Sequence, residues 1–321
     1  MSARVLNEEE LRRVVGINEE ALDAVEQAFT WLQEDRVDMP PIMHISASDK
    51  NGDIDVKSAY VSGMPYIAIK IASGFYENPQ RGLPAGSAMM VLLSADTGFC
   101  EAVLLDNSYL TDLRTGLAGA VAARYLAPSE VDTVGVIGTG VQARYQVECL
   151  ALLRRFSKLR VWGRNREHAK RYADDMAARH GLDVTVCDIP DDVAQGAQVV
   201  ITCSASSEPL LTARALHPGL HITAVGADFP GKQELDAEIL RRADILVCDR
   251  LSQCRANGEI QHLLTDGELP AGIDLVELGE LTTGARQGRT SDTEITVCDL
   301  TGTGVQDTAI ANLAYRKATG R

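Results

Sequence analysis

Three small residues between an apolar stretch and a helical pattern give the clearest chemical signal in this sequence. Gly138, Gly140 and Ala143 have the spacing G-x-G-x-x-A, after a strand-like run at 133–137 and at the start of a helical pattern that extends to about residue 155. Gly138 permits a tight turn, and Gly140 lets a pyrophosphate approach the backbone. The helix N-terminus adds N–H donors and a partial positive charge. The spacing predicts a dinucleotide site formed by Gly138, Thr139, Gly140, Val141 and Gln142.

The next strand carries the information on the type of dinucleotide. An Asp or Glu after this strand would hydrogen-bond the ribose 2′-hydroxyl of NAD. After residues 159–162 the sequence has Gly163 and Arg164 instead. Arg164 either stacks on adenine, contacts a 2′-phosphate, or only solvates a loop together with Arg166. A 2′-phosphate contact favours NADP, so the residues alone leave the choice between NAD and NADP open.

Further candidate cofactor contacts follow the later strands, because open α/β sheets bind ligands beyond the carboxyl ends of their strands. They comprise a Ser-Ala-Ser run, the end of a strand pattern at 221–225 and a Gly-rich turn, namely Ser204, Ala205, Ser206, Val225, Gly226 and Gly302. For the segment with Gly302, a plain turn is the alternative interpretation.

The second part of the chain has the pattern that such a site requires. After Pro128, nearly continuous apolar strands alternate with helical segments, which is typical of a parallel doubly wound Rossmann sheet. The predicted strands lie at 133–137, 159–162, 184–187, 199–203, 221–225 and 245–247.

The first part of the chain has a different texture. Helical patterns at 8–35 precede short apolar runs that are separated by turn signals such as Asn51-Gly52, which indicates a mostly antiparallel sheet. A long helix is expected at about 108–126, and a last helix at about 307–318 is expected to return to this domain. The sequence thus predicts an α/β protein with an α+β domain at 1–127, completed by 306–321, and a Rossmann domain at 128–305.

Composition disfavours several classes of partner. The 321 residues contain 31 Lys and Arg against 45 Asp and Glu, and this net charge of -14 repels nucleic acid and anionic membranes. Seven cysteines without a C-x-x-C pair, and no signal-peptide pattern, indicate a cytoplasmic protein. The six histidines show no H-x-x-H spacing, so no metal site is expected.

Three segments together resemble the ornithine cyclodeaminase/mu-crystallin family. They are 112–123 (DLRTGLAGAVAA), 138–142 (GTGVQ) and 224–236 (AVGADFPGKQELD), and the likeness extends over almost the whole chain. The resemblance implies an N-terminal substrate-binding and dimerisation domain that the C-terminal helix completes, a Rossmann domain, and a homodimer. Because family members differ in their reactions, fold and cofactor transfer better than substrate does.

The resemblance also implies site residues. The family's strand lysine corresponds to Lys70, the arginine of its long helix to Arg114, and its catalytic aspartate to Asp228. The cyclodeaminase branch has an arginine after a proline pair and an acidic residue before the lysine. At these two places this chain has Ile42, with His44 nearby, and Lys57. The resemblance thus implies catalysis by Asp228 and Lys70, and substrate binding by Arg114, Lys57 and His44.

Lys57 argues against ornithine, because an additional cation is a poor neighbour for a diamine. The segments 55–60 (DVKSAY) and 104–112 (LLDNSYLTD) resemble instead the branch that contains ectoine-utilisation proteins and an iminosuccinate reductase. This likeness favours NADH as the donor and a small dicarboxylic imine as the substrate. Lys57, Lys70 and Arg114 would hold the carboxylates, and Asp228 would pass a proton to the nitrogen.

The best hypothesis from the sequence is therefore the NADH-dependent reduction of iminosuccinate to L-aspartate. One alternative is a cyclodeaminase that uses NAD catalytically and releases ammonia from ornithine, and another is a different ketimine reductase or amino-acid dehydrogenase. An alternative of another class is a crystallin-like protein that binds a dinucleotide and a small ligand without turnover.

Overall fold

The computed structural model describes residues 3–320. In chain order its helices are α1 (Glu8–Val14), α2 (Glu19–Gln33), α3 (Tyr109–Leu126), α4 (Val141–Leu150), α5 (Arg166–His180), α6 (Ala237–Arg241), α7 (Leu251–Cys254), α8 (Leu278–Thr282) and α9 (Gly304–Thr319). The strands are β1 (Arg4–Asn7), β2 (Val37–Asp38), β3 (Met43–Ala47), β4 (Gly52–Val61), β5 (Tyr66–Phe75), β6 (Gly86–Ser94), β7 (Cys100–Leu105), β8 (Thr133–Ile137), β9 (Lys158–Trp162), β10 (Asp183–Val186), β11 (Val199–Thr202), β12 (Ser207–Leu211), β13 (His221–Ala224), β14 (Gln233–Leu235), β15 (Ile245–Cys248), β16 (Leu275–Glu277) and β17 (Thr296–Asp299). Within the described residues, no helix combines the length and the apolar character that a membrane span requires.

The chain forms two compact units. The first unit comprises Met1–Arg114 and Thr303–Arg321, and the second comprises Thr115–Gly302. The sequence predicted boundaries at 127/128 and 305/306, whereas the structure divides the chain inside α3. The reason is that the first turns of α3 bind groups of the first unit, while its later turns pack against α4, where a Cβ on Gly119 would lie 1.9 Å from the Gln146 amide oxygen.

The first unit is built on a sheet with the strand order β1-β7-β6-β5-β4-β2, and β3 pairs with β4. Its pairs are antiparallel except for β1 with β7. Helix α9 contacts β4, β5 and α2, and this explains why its residues from Gly304 to Tyr315 are buried. At its start a Cβ on Gly304 would lie 2.5 Å from the carbonyl oxygen of Ser58, so glycine permits this close approach. The last helix therefore belongs to the core of the first unit.

The second unit has a parallel sheet with the order β10-β9-β8-β11-β13-β17-β15-β16. After β8 the chain first adds β9 and β10 on one side of this strand and then β11 and β13 on the other side, as in a Rossmann fold. The strands β8, β11 and β13 are buried along their whole length, which matches the mostly apolar sequences of β8 and β11, whereas β13 also buries His221 and Thr223. The α/β class and the doubly wound sheet predicted from the sequence are confirmed.

Some elements of the second unit were not predicted. Strands β16 and β17 extend the large sheet, and β12 pairs with β14 in a small parallel sheet. These strands have only three to five residues, and polar residues or proline interrupt their apolar pattern, as in the sequence Thr-Val-Cys-Asp of β17. Helix α4 ends at Leu150, before the predicted residue 155, because a turn follows and Arg154 donates to the carbonyl oxygen of Pro128.

Candidate functional site

The Gly-rich turn of the second unit links β8 to α4 and has the geometry that a phosphate site needs. Gly138 has φ 124°, and a Cβ there would lie 2.9 Å from the carbonyl oxygen of Cys203, so the position requires glycine. Gly140 is the N-cap residue of α4, and a Cβ on it would meet no atom within 4 Å. The space in front of the helix N-terminus is therefore open, and a pyrophosphate fits where a side chain would otherwise project.

Arg144, which the sequence analysis did not identify, holds this turn from inside α4. Its Nη1 donates to the carbonyl oxygens of Thr139 and Gly140, each at 3.1 Å. Its Nε donates to Asp175 Oδ2 at 2.8 Å, and the guanidinium lies 5.0 Å from the ring centroid of Tyr172. The i,i+4 spacing from Gly140 was the available signal, but the partners on α5 were not predictable from it.

The residues that follow β9 occupy the position where a Rossmann domain binds the adenosine ribose. Gly163 follows the strand, and a Cβ there would lie 2.6 Å from Thr139 Cγ2. Arg164 is exposed, while Arg166 forms an ion pair with Asp188. The position that carries an acidic residue in NAD-specific Rossmann proteins is thus occupied by glycine.

The loops after β11 and β13 contain most of the other predicted cofactor contacts. The backbone N–H groups of Ser204 and Gly226 donate to the two carboxylate oxygens of the buried Glu234. Ala205 and Ser206 continue the first loop, and Val225 directly precedes Gly226. Glu234 therefore joins the two loops. In the sequence it is recognisable only as part of the segment 224–236 that resembles the family.

Gly302 lies after β17 with its polar backbone atoms already bound inside the second unit. Its N–H donates to Asp249 Oδ2 at 2.7 Å, and its carbonyl oxygen accepts from Gln253 Nε2 at 3.0 Å. A contact of Gly302 with a cofactor would have to use its lack of a side chain rather than these two atoms. Its predicted role remains a prediction.

In the first unit, β4 and β5 place two lysines side by side. Lys57 and Lys70 are directly opposite each other in the antiparallel register, and both are buried. Lys70 Nζ lies 2.9 Å from Asp307 Oδ2, and Arg114 Nε donates to Asp307 Oδ1 at 2.9 Å. Arg114 also donates to Gln306 Oε1 at 3.3 Å. Three predicted residues thus come together around Asp307, which the sequence analysis missed.

Burial and charge set the protonation of this cluster. Burial, together with the positive charge of Arg114, lowers the pKa of Lys70 to about 7, although Asp307 opposes this shift. Burial would raise the pKa of Asp307, but the charges of Arg114 and Lys70 outweigh it and hold the pKa below the usual range. The cluster thus places three basic side chains near Asp307, with the carboxyl group of Asp106 nearby, so its basic groups outnumber its acids and favour an anionic ligand.

The charges of Lys70 and Asp307 also act on a second carboxyl group, Asp106, which binds the backbone. Asp106 is buried, and its Oδ2 accepts from the N–H of Leu110 at the start of α3. Burial raises the pKa of Asp106 to about 6. Asn107 and Ser108 follow with φ of 49° and 74°, so this turn is held in a left-handed conformation that few side chains favour. Asp106 thus fixes the entry to the helix that carries Arg114.

His44 and Asp228 occupy more open positions. His44 is on β3, and its Nδ1 lies 2.8 Å from Asp55 Oδ1. The register places His44 and Asp55 on the same face of the sheet as Lys57. Asp228 follows β13 in the second unit, where its side chain is 51% exposed and lies 2.6 Å from Lys232 Nζ. The side chain of Asp228 is therefore half-buried, and its catalytic role remains a prediction.

Comparisons with known proteins identify the family of the chain. Residues 2–321 match the model of the ornithine cyclodeaminase/mu-crystallin family. The chain is 42% identical to an uncharacterized cyclodeaminase of Sinorhizobium fredii, over 99% of this chain and 96% of the relative.

Two solved structures have the same architecture along the whole chain. An archaeal alanine dehydrogenase dimer with bound NAD is 34% identical, with a TM-score of 0.91 over 100% of this chain and 97% of that chain. The iminosuccinate reductase of Paracoccus denitrificans in complex with NAD+ is 30% identical, with a TM-score of 0.89 over 99% and 97%. The chain belongs to the ornithine cyclodeaminase/mu-crystallin family.

Proposed function

We propose that this protein is an NADH-dependent imine reductase that forms an amino acid, with iminosuccinate reduced to L-aspartate as the best candidate reaction. The observation that carries the proposal is the buried excess of positive charge at Lys57, Lys70 and Arg114 over Asp307. This excess occurs in a chain whose net charge is -14, so it is local to the site. A dianionic substrate offsets it, whereas a diamine adds to it.

The cofactor fits the second unit on structural grounds. The open space at Gly140, the uncapped N-terminus of α4 and the strained glycine at 138 form a pyrophosphate cradle. When NADH is bound, it supplies the hydride to the carbon of the C=N bond. NAD is favoured by the similar structures that contain it, and NADP is the alternative because Gly163 and Arg164 replace an acidic residue.

The side chains of the first unit account for substrate binding in this proposal. Arg114 is fixed by Asp307 and Gln306, so it presents a positioned guanidinium rather than a mobile one. Lys57 and Lys70 act as point charges for a second carboxylate. His44 extends the same face of the sheet, where its bond to Asp55 keeps it oriented.

Proton transfer is assigned to two residues. Asp228 follows β13, at the carboxyl end where open α/β sheets bind ligands, and we assign to it the proton at the substrate nitrogen. The ion pair with Lys232 favours the charged carboxylate, so in the working complex Asp228 must release Lys232 and take up a proton before it donates one to the substrate nitrogen. Lys70, with a pKa lowered to about 7, can hold or release a proton near neutral pH.

A homodimer is part of the proposal, and the outer face of the first sheet supports it. Large apolar side chains are exposed on this face, namely Val5 (60%), Met43 (54%), Ile45 (49%), Leu105 (43%) and Tyr60 (41%). The strand registers place all of them opposite to the face that α9 covers. A second copy of the chain would bury this surface, as expected for an obligate interface.

The decisive experiment is a panel of 2-oxo acids with ammonia, each tried with NADH and NADPH. Oxaloacetate with ammonia should give net oxidation of NADH and L-aspartate as the product. The relative named as a cyclodeaminase keeps the second candidate in view, and ammonia release from ornithine without net change of NADH would establish that function instead. Tight dinucleotide binding with neither signal would leave a binding protein.

A further inference from the structure

Glu234 lies on β14, outside the predicted contact set, yet it touches both loops that are expected to contact the cofactor. The side chain is fully buried. One carboxylate oxygen accepts from the N–H of Ser204 at 2.5 Å, and the other accepts from the N–H of Gly226 at 2.9 Å. Ser204 follows β11 and Gly226 follows β13, so a single side chain joins the carboxyl ends of two neighbouring strands.

The packing around Glu234 leaves no room for another arrangement. A Cβ on Gly226 would lie 2.3 Å from the carbonyl oxygen of Ser204 and 2.4 Å from Glu234 Oε2. Cys203, one residue before Ser204, is also the residue against which Gly138 of the phosphate turn packs. The phosphate turn therefore packs against the loop at Ser204, and this loop packs against the loop at Gly226. Glu234 binds both loops.

Glu234 is itself held in place by a second buried acid. Glu259 Oε1 accepts from the N–H of Glu234 at 2.8 Å, and Glu259 Oε2 accepts from the N–H of Leu235 at 3.1 Å. These bonds fix the backbone of β14, from which the Glu234 side chain extends. The position of the carboxylate is thus determined from both ends.

The chemistry of the bridge requires a carboxylate. Each of its two oxygens accepts one backbone N–H, and an ionised carboxyl group is an acceptor at both positions. A glutamine of the same size has one acceptor oxygen, so its NH2 group would face one of the N–H donors and leave that donor unsatisfied. Burial raises the pKa of Glu234 to about 7, while the hydrogen bonds from Ser204 and Gly226 oppose this shift.

We propose that Glu234 is a positioning residue for the dinucleotide, because its carboxylate holds the loops at Ser204 and Gly226 at the separation that receives the nicotinamide end. This inference rests on the proposed binding of NADH. It adds a residue that supports the cofactor loops from behind without contacting the reacting atoms.

The test compares wild type with Glu234→Gln and Asp191→Asn. Asp191 is a matched control, because its largely buried carboxylate also accepts two donors in the second unit, the N–H and the hydroxyl of Thr212, but does not bind the two loops. For Glu234→Gln, NADH fluorescence titration should show binding weakened about tenfold to hundredfold, since one charge-assisted hydrogen bond is lost. The KM for NADH should rise while the KM for the imine stays within about twofold. Asp191→Asn should change NADH binding by less than about threefold.

Amide hydrogen exchange of the cofactor-free protein gives a second readout that does not depend on activity. Peptides containing Ser204 and Gly226 should exchange at least about tenfold faster in Glu234→Gln than in wild type. If Glu234→Gln does not fold, Glu234→Asp replaces it. The shorter carboxylate keeps the charge but reaches only one of the two N–H groups, so faster exchange in one loop alone is expected.

Two results would overturn the inference. One is NADH binding and loop exchange in a folded Glu234 variant within about twofold of wild type. The other is a loss of NADH affinity in Asp191→Asn as large as that in Glu234→Gln, since the effect would then come from general damage to the second unit. Failure of wild type to bind any dinucleotide would instead refute the proposed function, and hydrogen exchange would still test the bridge.

Discussion

The two units bury charges of opposite sign, and they satisfy them in different ways. In the first unit, the cations Lys70 and Arg114 share the acidic partner Asp307, and the buried Lys57 lies beside Lys70. In the second unit, buried acids accept backbone N–H groups, as Glu234 does from two loops. The cations of the first unit can therefore attract an anionic ligand, whereas the acids of the second unit accept hydrogen bonds from the protein itself.

This difference follows from what each group can do. A backbone N–H satisfies a carboxylate locally and fixes a loop, so the acids of the second unit act as structural anchors. A lysine on a strand can reach no backbone N–H as an acceptor would, so its buried charge is stabilised by anionic groups such as Asp307. The buried cations of the first unit therefore favour an anionic substrate. The buried acids of the second unit fix the loops that are proposed to contact the dinucleotide.

The largest effect is expected for loss of the proposed catalytic groups. Lys70→Ala and Asp228→Asn should each lower kcat by about 10²–10⁴-fold, the range of general acid–base catalysis, while NADH affinity stays within about twofold. Steady-state kinetics and fluorescence titration measure the two quantities. Normal rates in both variants would remove these assignments.

Asp307→Asn tests the charge balance of the first unit. The change leaves Lys70 and Arg114 buried beside each other without a negative partner, and this should lower the free energy of unfolding by about 3–5 kcal/mol. Asp49→Asn is the matched control, because Asp49 pairs with Lys50 on the surface and should contribute less than about 1 kcal/mol. Urea unfolding of both variants measures the difference, and equal stability would contradict the role of Asp307.

Two glycines of the phosphate turn should respond differently to a side chain. Gly138→Ala introduces a Cβ 2.9 Å from the Cys203 carbonyl oxygen at a positive φ, so it should destabilise the fold by about 1–3 kcal/mol. Gly140→Val places its side chain in open space, so the melting temperature should stay unchanged while NADH binding weakens at least about tenfold. Unimpaired NADH binding by Gly140→Val would show that the pyrophosphate binds elsewhere.

The pH dependence of stability should have opposite slopes for the two clusters. Lys70 titrates near 7 in the folded state and near 10.5 when unfolded, so the unfolded chain binds more protons in this window and stability rises with pH. Glu234 titrates near 7 when folded and near 4.5 when unfolded, so stability falls as pH rises from 4.5 to 7. When the urea midpoint is plotted against pH, the rise above pH 7 should be lost in Lys70→Met. The fall between pH 4.5 and 7 should be lost in Glu234→Gln. Unchanged profiles would argue against buried titration of these groups.

The smallest effect is expected at Arg144. Arg144→Gln removes the guanidinium from the carbonyl oxygens of Thr139 and Gly140 but leaves the turn glycines in place. NADH binding should weaken by about threefold to tenfold, in line with one or two neutral acceptor contacts. Arg179→Gln, which removes another arginine bound to Asp175, is the control and should leave NADH binding unchanged.

The sequence predicted the parts of the molecule that depend on local order. The phosphate turn, the alternating strands and the long helices all follow from spacing and periodicity. Asp307 escaped prediction because its partner Arg114 lies 193 residues away, and Glu234 because its bonds to Ser204 and Gly226 depend on how two loops meet in the fold. The exposure of Asp228 was also not predictable, since it depends on Lys232 and on the course of the loop.

The most direct measurement of the central claim is the ratio of kcat/KM for oxaloacetate with ammonia to kcat/KM for pyruvate with ammonia, in wild type and in Lys57→Met. A cation cluster that selects a second carboxylate predicts a ratio of at least about tenfold in wild type and a ratio near one in the variant. A preference for pyruvate in wild type, or a ratio that Lys57→Met leaves unchanged, would contradict the account.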